Sequence, residues 1–499
     1  MTYLDRLYRD SLALANDLYQ VTMACAYWRS GTHDKEAAFH LYFRNNPFGG
    51  GFTVACGLEP AMEYLAGVRF SGEDLAYLAE LPGNDGAPLF AEDFLAHLRD
   101  LEWSCDVEAV PEGTVVFPFE PVLRVTGPID QCQLLETPLL NLLNFQSLIA
   151  TKAARVALVA GEQEVVEFGL RRAQGLDGGL SASRAAHVGG CAATSNLLAG
   201  KLFGIPVRGT HAHSWVQSFD SEIEAFDAYA EAMPNNCVFL VDTYESLQGV
   251  RHAVEAGRRL RRRGHEMIGI RLDSGDLAYL SREARKILDE SGFPGALILA
   301  SNQLDEHVIA SLEQQGAKVD VWGVGTRLVS GHPDPALGGV YKLTAVRRRG
   351  DAWQYRLKLS EQVSKISNPG LQQVRRYRAG GEFLADVIYD EQSGIGEAPV
   401  MVDPFDMTRR RTIPAGTAWE DLLVPVFRGG RRVYDPPPLA ALRRRTTAQL
   451  AGFHEGIKRF IHPHQYPVGL EACYFDLKTR LILEARGAAP GLLARTRPE

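Results

Sequence analysis

The middle of the chain alternates short apolar runs with longer stretches in which apolar residues recur at helical spacing. The short runs predict six buried strands, at Glu164–Phe168, Ile205–Thr210, Cys237–Asp242, Met267–Leu272, Ala296–Ala300 and Val319–Trp322. The stretches between them predict helices, among them Ala185–Phe203, which would end at Gly204, and Asp305–Gln315. Strands that alternate with helices about every 25–30 residues are typical of βαβ units and a parallel sheet. Six such units in succession favour a TIM-like α/β barrel, although an open doubly wound sheet has the same periodicity.

The flanks of this region have a different pattern. Val107–Thr126 contains short β-like runs broken by proline and glycine, which predicts an antiparallel hairpin or meander. Tyr341–Arg347 and Trp353–Lys358 predict a second hairpin, and the two β regions bracket the barrel. We expect an N-terminal α/β domain at 1–130, completed by about 340–430, a barrel domain at 131–340, and a helical C-terminal extension at 431–499. Within this extension the proline-rich joint Pro436–Pro438 precedes a helical tail at Leu439–Phe460.

Composition narrows the class of protein. The formal net charge is −8 and no extended basic run occurs, which argues against a nucleic-acid partner. No run of about 18 apolar residues predicts a membrane span, and Met1–Gln20 lacks the apolar region of a signal peptide. The seven cysteines include no C-x-x-C pair, which argues against a zinc ribbon or a disulfide framework. A protein of the reducing cytoplasm fits these features best.

Polar and glycine residues follow every predicted strand. They are Gly169, Arg171 and Arg172; Thr210 and His213; Asp242; Asp273, Ser274 and Asp276; Ser301 and Asn302; and Gly323, Gly325 and Thr326. The active site of an α/β barrel is built from the loops at the carboxyl ends of its strands. Loops are polar in any protein, but six consecutive loops with reactive residue types exceed what turns require.

Two of these loops suit a phosphorylated sugar. The segment Gly323–Thr326 offers backbone N–H groups and a hydroxyl, which can cradle a phosphate, although a glycine pair also makes an ordinary tight turn. Asp273 and Asp276 place two carboxylates around a turn, where they can hold Mg²⁺, accept ribose hydroxyls or stabilise a developing sugar cation. The alternative for Asp276 is a helix N-cap, and both interpretations hold if Asp273 is catalytic and Asp276 structural.

Cationic and histidine side chains complete the candidate site. Arg171 and Arg172 can bind a carboxylate bidentately, unless one of them forms an internal salt bridge to Glu167 or Asp177. His213 at the barrel rim can act as a base, a metal ligand or a phosphoryl acceptor. His211 lies two residues earlier and competes for that role.

Several strings of the sequence resemble one enzyme family over nearly the whole chain. They are ANDLYQ (Ala15–Gln20), EFGLRRAQGLDGG (Glu167–Gly179), GT-x-AHS (Gly209–Ser214), RLDSGD (Arg271–Asp276), ASNQLDE (Ala300–Glu306), GVGTRLV (Gly323–Val329) and ALGGVYKL (Ala336–Leu343). The chain thereby resembles the nicotinate phosphoribosyltransferase family, in its longer bacterial form. The resemblance implies a type II phosphoribosyltransferase, with an irregular α/β barrel beside an α/β domain made from both flanks.

The resemblance also implies roles for individual residues. His213 matches the histidine that the family phosphorylates from ATP, and Arg171 and Tyr19 match residues near nicotinate. Tyr19 is expected from the partner subunit of a homodimer with shared active sites, and Phe168 is a candidate for packing on the pyridine ring. The region expected to hold phosphoribosyl pyrophosphate, with Mg²⁺, comprises Ser214, Asp273, Ser301, Asn302, Gly323, Gly325 and Thr326.

The expected reaction is ATP-coupled formation of nicotinate mononucleotide and pyrophosphate, a step of NAD salvage, with Asp273 and His213 as the catalytic residues. Three alternatives use the same fold. A nicotinamide phosphoribosyltransferase prefers an uncharged amide, which the pair Arg171 and Arg172 disfavours, and a quinolinate phosphoribosyltransferase needs more cations and usually has a shorter chain. A catalytically silent barrel that binds nucleotides is the third, and intact His213, Asp273 and Arg171 speak against it.

Overall fold

The computed structural model describes residues 12–487 of the chain. These residues form two compact units, which are described separately. The first unit contains residues 12–145, 337–437 and 448–487, and the second contains residues 146–336 and 438–447. The domain boundaries expected from the sequence stay a prediction. Within residues 12–487, no helix has both the length and the apolar character that are needed to cross a membrane.

The strands in chain order are β1 Glu36–Phe43, β2 Thr53–Val54, β3 Asp106–Ala109, β4 Val115–Val116, β5 Leu123–Pro128, β6 Glu164–Glu167, β7 Ala193–Thr194, β8 Val238–Leu240, β9 Gly269–Leu272, β10 Leu297–Ala300, β11 Val321–Val324, β12 Gly339–Arg347, β13 Gln354–Tyr355, β14 Gln372–Ala379, β15 Glu382–Asp390, β16 Val400–Val402, β17 Arg410–Thr412, β18 Ala418–Asp421, β19 Val424–Arg428, β20 Arg431–Arg432 and β21 Val468–Glu471.

The α-helices in chain order are α1 Leu18–Arg29, α2 Leu58–Gly67, α3 Gly72–Glu80, α4 Glu92–Arg99, α5 Ile129–Leu134, α6 Glu136–Ala160, α7 Gly175–Gly189, α8 Leu197–Phe203, α9 His213–Gln217, α10 Glu222–Ala232, α11 Ser246–Arg262, α12 Leu277–Glu290, α13 Glu306–Gln314, α14 Thr326–Val329, α15 Leu439–Ala451 and α16 Ala472–Ala485.

The second unit is built on a parallel sheet with the strand order β7-β6-β11-β10-β9-β8. Its strands are apolar because helices cover the sheet, and Phe239, Ile270, Ile298 and Trp322 are fully buried. The predicted strands that became β6, β8, β9, β10 and β11 are confirmed, as is the helix before Gln315, which is α13. The mixed α/β class with a parallel sheet is therefore confirmed.

Two predictions in this unit are wrong in detail. The single helix expected at Ala185–Phe203 is divided into α7, β7 and α8, because Gly190, with φ 133°, ends α7, and the side chain of Asn196 caps α8. The strand expected at Ile205–Thr210 is reduced to one parallel bridge between Val207 and Thr194. Pro206 has no N–H to donate, which limits the ladder there.

The first unit contains two large sheets. The seven-stranded sheet, in the order β13-β12-β1-β5-β3-β19-β20, takes strands from both flanks of the second unit's sequence. The antiparallel pairs β3–β5 and β12–β13 confirm the two predicted hairpins. The six-stranded sheet has the order β17-β16-β21-β15-β14-β18. The sequence predicts a helical C-terminal extension, and α15 and α16 are helices, but β21 lies between them and pairs with β15 and β16.

A charged cluster lies in the core of the first unit. The guanidinium of Arg376 is fully buried and pairs with Asp386, with 2.5 Å between Nη2 and Oδ2. Arg376 also donates to Gln449, and the hydroxyl of Tyr466 donates to Asp386 at 2.9 Å. Burial and the neighbouring Asp386 raise the pKa of Glu120 well above its usual range. Glu120 therefore favours its protonated form, and the cluster holds one cation and one anion.

Candidate active site

Three side chains at the carboxyl ends of β9 and β10 form a hydrogen-bonded array. Arg271 donates from Nη2 to Asp273 Oδ1 at 2.9 Å and from Nε to Ser301 Oγ at 2.9 Å. Ser301 donates in turn to Asp273 Oδ1, and Arg271 Nη1 donates to Thr210 Oγ1 at 3.1 Å. The array fixes one carboxylate oxygen of Asp273 and leaves the other available.

The carboxyl group of Asp273 is held in its charged form. Its partial burial alone would raise its pKa, but the hydrogen bond from Ser301 and the charge of Arg271 outweigh burial, and the pKa is lowered. Asp273 is therefore an anion at neutral pH, and its charge lies at the carboxyl end of β9.

His213 begins the short helix α9 beside this array. Its Nε2 lies 3.8 Å from Asp273 Oδ2 and 4.0 Å from Asp242 Oδ1, and its Nδ1 lies 3.1 Å from Thr243 Oγ1. The side chain is 39% exposed, so one edge of the ring is open to a substrate. An imidazole between two carboxylates and a hydroxyl, with access from solvent, is suited to accept and release a phosphoryl group.

Asp242 lies just after β8, and its position in the sequence alone predicts no particular role for it. Its side chain is only 1% exposed, and its Oδ2 accepts hydrogen bonds from the Asp273 N–H at 2.9 Å and from the Ser274 hydroxyl at 2.6 Å. Its Oδ1 is buried and has no hydrogen-bond partner within residues 12–487. That oxygen is the one nearest His213, and it lies 4.0 Å from His213 Nε2.

His211 does not share the position of His213. It is buried against Phe226, Phe239 and Tyr229, and its Nε2 accepts the backbone N–H of Leu240 at 3.2 Å. Burial lowers its pKa to about 4, so the ring is neutral at physiological pH. Because Nε2 is already used by the backbone, His211 has a structural role.

Phe168 and Gly323 of β11 form an apolar wall next to the array, and Gly325 follows the strand. A Cβ added to Gly323 would lie 2.7 Å from the ring of Phe168, so only glycine allows this packing. The guanidinium carbon of Arg271 lies 5.5 Å from the centre of the same ring. Gly325 precedes α14, and Thr326 is the first residue of that helix. The wall therefore places an aromatic face beside a cation and beside the first turn of α14.

Arg171 and Arg172 lie in a short 3₁₀ turn after β6 and are both exposed. In the part of the chain that the structure describes, neither forms an ion pair with Glu167 or Asp177, so the internal salt bridge is excluded. Glu167 is instead fully buried and accepts hydrogen bonds from Ser183 at 2.8 Å and from the backbone of Gly169. Glu167 thus fixes the start of the loop that presents Arg171.

The remaining candidates are placed as follows. Asn302 is exposed and has a positive φ of 92° beside the buried Ser301. Asp276 caps α12 through the N–H of Tyr279, so its structural interpretation is confirmed. Ser214 is exposed on α9 next to His213. Tyr19 lies in the first unit and is 47% exposed, and its pKa is raised to about 12 by partial burial and by Glu136.

The site contains no preformed protein cage for a metal. Within the described residues, no group of three or more His, Cys, Asp and Glu side chains is arranged to hold a metal ion. The available oxygen of Asp273 is a hard donor of the kind Mg²⁺ prefers, and it fits an ion that arrives with a phosphorylated substrate.

Comparison with known proteins identifies the family of the chain. The family profile described as "Nicotinate phosphoribosyltransferase (NAPRTase) family" matches residues 163–367, and the N-terminal and C-terminal domain profiles of the same enzyme match residues 14–144 and 372–478. Nicotinate phosphoribosyltransferase of Bacillus subtilis is 43% identical over 484 residues, which are 95% of this chain and 96% of that protein. The human nicotinate phosphoribosyltransferase is 36% identical over 516 residues, which are 92% of this chain and 94% of that protein.

A solved structure agrees with the sequence comparison. The crystal structure of human nicotinic acid phosphoribosyltransferase matches this chain with a TM-score of 0.81 and 34% identity, and it covers 93% of this chain and 99% of that chain. The matched profiles and this structural similarity extend across both units. The chain therefore belongs to the nicotinate phosphoribosyltransferase family.

Proposed function

We propose that this protein transfers the phosphoribosyl group of phosphoribosyl pyrophosphate to nicotinate and forms nicotinate mononucleotide in NAD salvage. The observation that carries the proposal is the array of Arg271, Asp273 and Ser301 beside His213, at the carboxyl ends of parallel strands, in a chain of this family. A charged carboxylate at this place suits a reaction in which positive charge develops on a ribose ring.

Each residue of the site has a separate role in the transfer of the phosphoribosyl group. The carboxylate of nicotinate is bound by Arg171, and its ring packs on Phe168. The ring nitrogen supplies the electron pair for the new bond to C1 of the ribose, while the bond from C1 to the pyrophosphate oxygen breaks and its electrons leave with pyrophosphate. Asp273 offsets the positive charge on the ribose in the transition state. The pyrophosphate is bound by the loops that contain Ser301, Asn302, Gly323, Gly325 and Thr326, with Ser214 nearby. Bound Mg²⁺ would neutralise charge on the leaving group.

ATP coupling is assigned to His213. A ring nitrogen of His213 attacks the γ-phosphorus of ATP, ADP leaves, and water later hydrolyses the phosphohistidine to phosphate. Asp242 and Asp273 support the ring from its Nε2 side, and Thr243 holds Nδ1. Formation and loss of the phosphoryl group would tighten the site for substrates and then release the product. This cycle corresponds to a ligase-type, ATP-coupled enzyme.

Replacement of His213 by alanine is expected to abolish the stimulation by ATP and to leave slow, ATP-independent formation of nicotinate mononucleotide. The measurement is the rate of product formation with and without ATP, together with transfer of label from γ-labelled ATP to the protein. His211→Ala is the matched control for label transfer, because His211 is buried and bound to the backbone. Full acceleration of His213→Ala by ATP would contradict the phosphohistidine role.

Arg171→Ala is expected to raise the KM for nicotinate by about 10- to 100-fold, because a charge-assisted bidentate pair contributes roughly 1.5–3 kcal/mol. Arg172→Ala is the control, since Arg172 is equally exposed in the same turn. The KM for nicotinate and for phosphoribosyl pyrophosphate is measured for both variants. Equal losses in both variants would show that the carboxylate is bound elsewhere.

The test of the overall function is product formation from phosphoribosyl pyrophosphate and Mg²⁺, with nicotinate or nicotinamide, with and without ATP. Product from nicotinate alone, formed faster with ATP, supports the proposal. Product from nicotinamide would keep the fold and overturn the role of Arg171. No product from either pyridine, with ligand-induced stabilisation by phosphoribosyl pyrophosphate, would indicate a silent nucleotide-binding barrel.

We also infer that the parallel sheet closes into an irregular barrel. The segment after Ile205 is linked to β7 by the bridge between Thr194 and Val207, and to β8 by the hydrogen bond from the Leu240 N–H to His211.

We further propose a cytoplasmic homodimer. The dimer is supported by the exposed apolar surface of α8, where Leu197 is 76% exposed. The cytoplasmic location is supported by six buried cysteine thiols, which suit a reducing compartment. Light scattering at working concentration tests the dimer.

A further inference from the structure

Two neighbouring loops of the second unit carry most of the residues assigned to the pyrophosphate. The first follows β10 and contains Ser301 and Asn302, and the second follows β11 and contains Gly323, Gly325 and Thr326. One ion pair connects them. Arg327 Nη1 donates to Asp305 Oδ2 at 2.5 Å, and the side chains are 30% and 5% exposed.

Asp305 is fixed independently of Arg327. Its Oδ1 accepts the backbone N–H groups of His307 at 3.0 Å and Val308 at 2.9 Å, so it is the N-cap of α13. Burial alone would raise its pKa, but the Val308 N–H and Arg327 lower it below its usual range, so the carboxylate is charged. A charged, capped and nearly buried aspartate is a rigid point of attachment.

The next residue strengthens this attachment. Glu306 is fully buried, and its carboxylate lies 2.5 Å from Lys152 Nζ and 2.8 Å from Arg155 Nε, both on α6. The start of α13 is thus held to the interior of the second unit by charges that water cannot screen. Arg327, which binds the other carboxylate oxygen of Asp305, is therefore held in a fixed position relative to this interior.

Between the two fixed points the backbone is in a conformation that side chains rarely adopt. Ser301 is held by Arg271 and Asp273, and Asp305 is held by α13, but Asn302 and Gln303 have φ values of 92° and 48° and are exposed. Non-glycine residues with positive φ persist only where the surrounding structure dictates them. The backbone conformation of Asn302 and Gln303 is therefore determined by the fixed residues on either side, Ser301 and Asp305.

We propose that Asp305 and Arg327 form a positioning pair, which sets the separation between Asn302 and the Gly325–Thr326 turn and thereby the affinity for the pyrophosphate group of the substrate. The proposal rests on the proposed function, because it assumes that these loops bind phosphoribosyl pyrophosphate. Arg327 acts through Asp305 and does not contact the substrate. Arg327 directly follows Thr326 at the start of α14, so its ion pair with Asp305 restrains the backbone of that turn.

The test uses Arg327→Met and Asp305→Asn. Asparagine keeps the helix cap through its amide oxygen but loses the charge that holds Arg327. Each variant is expected to raise the KM for phosphoribosyl pyrophosphate by about tenfold, since small displacements of positioning groups have large effects on binding geometry. The KM for nicotinate and kcat should change by less than about twofold. The double variant should be no worse than either single variant, because both remove the same interaction.

Controls separate positioning from other roles. Arg327→Lys should recover part of the affinity, and Arg282→Met, which replaces an exposed arginine of α12, should behave as the unaltered protein. A large effect of Arg327→Met with none of Asp305→Asn, or additive effects, would show that Arg327 binds the substrate directly and would overturn the proposal. A parallel loss of kcat, both KM values and Tm would also overturn it, since that indicates general damage to the fold.

Calorimetric binding of phosphoribosyl pyrophosphate gives a readout that does not need turnover. A protein that binds this ligand but forms no product would contradict the proposed function, while the ratio of dissociation constants between variants and unaltered protein would still test the positioning pair. About tenfold weaker binding in both variants is expected. Unchanged binding in both variants would overturn the proposal.

Discussion

Asp273→Asn is expected to lower kcat for nicotinate mononucleotide formation by about 10²- to 10³-fold, the range found when one preorganised electrostatic group is removed from a transition state. Asparagine has nearly the same shape, so it can still accept the hydrogen bonds from Arg271 and Ser301. It lacks the negative charge that offsets the developing cation on the ribose. The measurement is kcat and both KM values at saturating ATP, and we expect the loss to fall mainly on kcat.

The control for this prediction is Asp276→Asn, three residues away. Asp276 only caps α12, and asparagine caps a helix as well as aspartate does, so this variant should retain nearly full activity. Similar losses in both variants would mean that Asp273 is merely structural. A loss that falls on the KM for phosphoribosyl pyrophosphate with kcat preserved would assign Asp273 to ground-state binding of the ribose hydroxyls instead.

The ionisation of Asp273 predicts how its contribution varies with pH. Its pKa is lowered in the folded protein, so the charge is fully present above the pKa of an ordinary aspartate. The contribution is lost only as the pH falls through the lowered value. Between pH 6 and 9, roughly, any change in kcat must therefore come from other groups.

The parallel sheet could be predicted from the sequence because its strands are covered by helices. Burial of a strand on both faces gives a continuous apolar run such as β11, in which all four residues are buried, and these runs have clear ends at polar residues. β7 could not be predicted in the same way. It has only two residues, Ala193 and Thr194, inside a stretch that is apolar at helical spacing, and its strand conformation comes from pairing with β6.

The residues of the candidate site that follow the strands could be predicted, but Arg271, which lies within a strand, and the long-range contacts of several other residues could not. Arg271 is inside β9, so its position suggested a strand interior, although a cation in an otherwise apolar run was a usable signal. The role of Asp242 depends on a neighbour 31 residues away, whose N–H it accepts. Spacing along the chain carries no information on such contacts, and this is why Asp305 and Arg327 were also missed.

The buried cluster of the first unit shows the same limit. Arg376 and Asp386 belong to the neighbouring strands β14 and β15, where they are paired in register. The aromatic rings of Phe117, Phe383 and Phe453 surround the guanidinium, with centres 5.1 to 5.8 Å from its carbon. Nothing in the alternation of β14 distinguishes Arg376, which is fully buried, from Arg375 beside it, whose side chain is 14% exposed. Only the folded sheet shows which of the two is in the core.

Arg376→Met is expected to destabilise the protein by about 3–5 kcal/mol, because removal of one partner of a buried ion pair leaves the other charge uncompensated. Here the cost is increased by Glu120, whose carboxyl group faces Asp386 and already has a raised pKa. Without the guanidinium, two acids would share a site that water does not reach. The measurement is Tm by calorimetry, with circular dichroism to confirm the native fold below the transition.

Two further variants make this expectation specific. Arg409→Met removes an exposed arginine that pairs with Asp406, and such a surface pair contributes only about 0–1 kcal/mol. Glu120→Gln imitates the protonated acid and can still donate to Asp386, so it should cost much less than Arg376→Met. If Glu120→Gln were as damaging as Arg376→Met, Glu120 would be charged in the folded protein, and the cluster would have to be described as one arginine between two carboxylates. If Arg376→Met changed Tm no more than Arg409→Met, the buried pair would contribute nothing beyond a surface pair, and the stability of this sheet would rest on its aromatic packing alone.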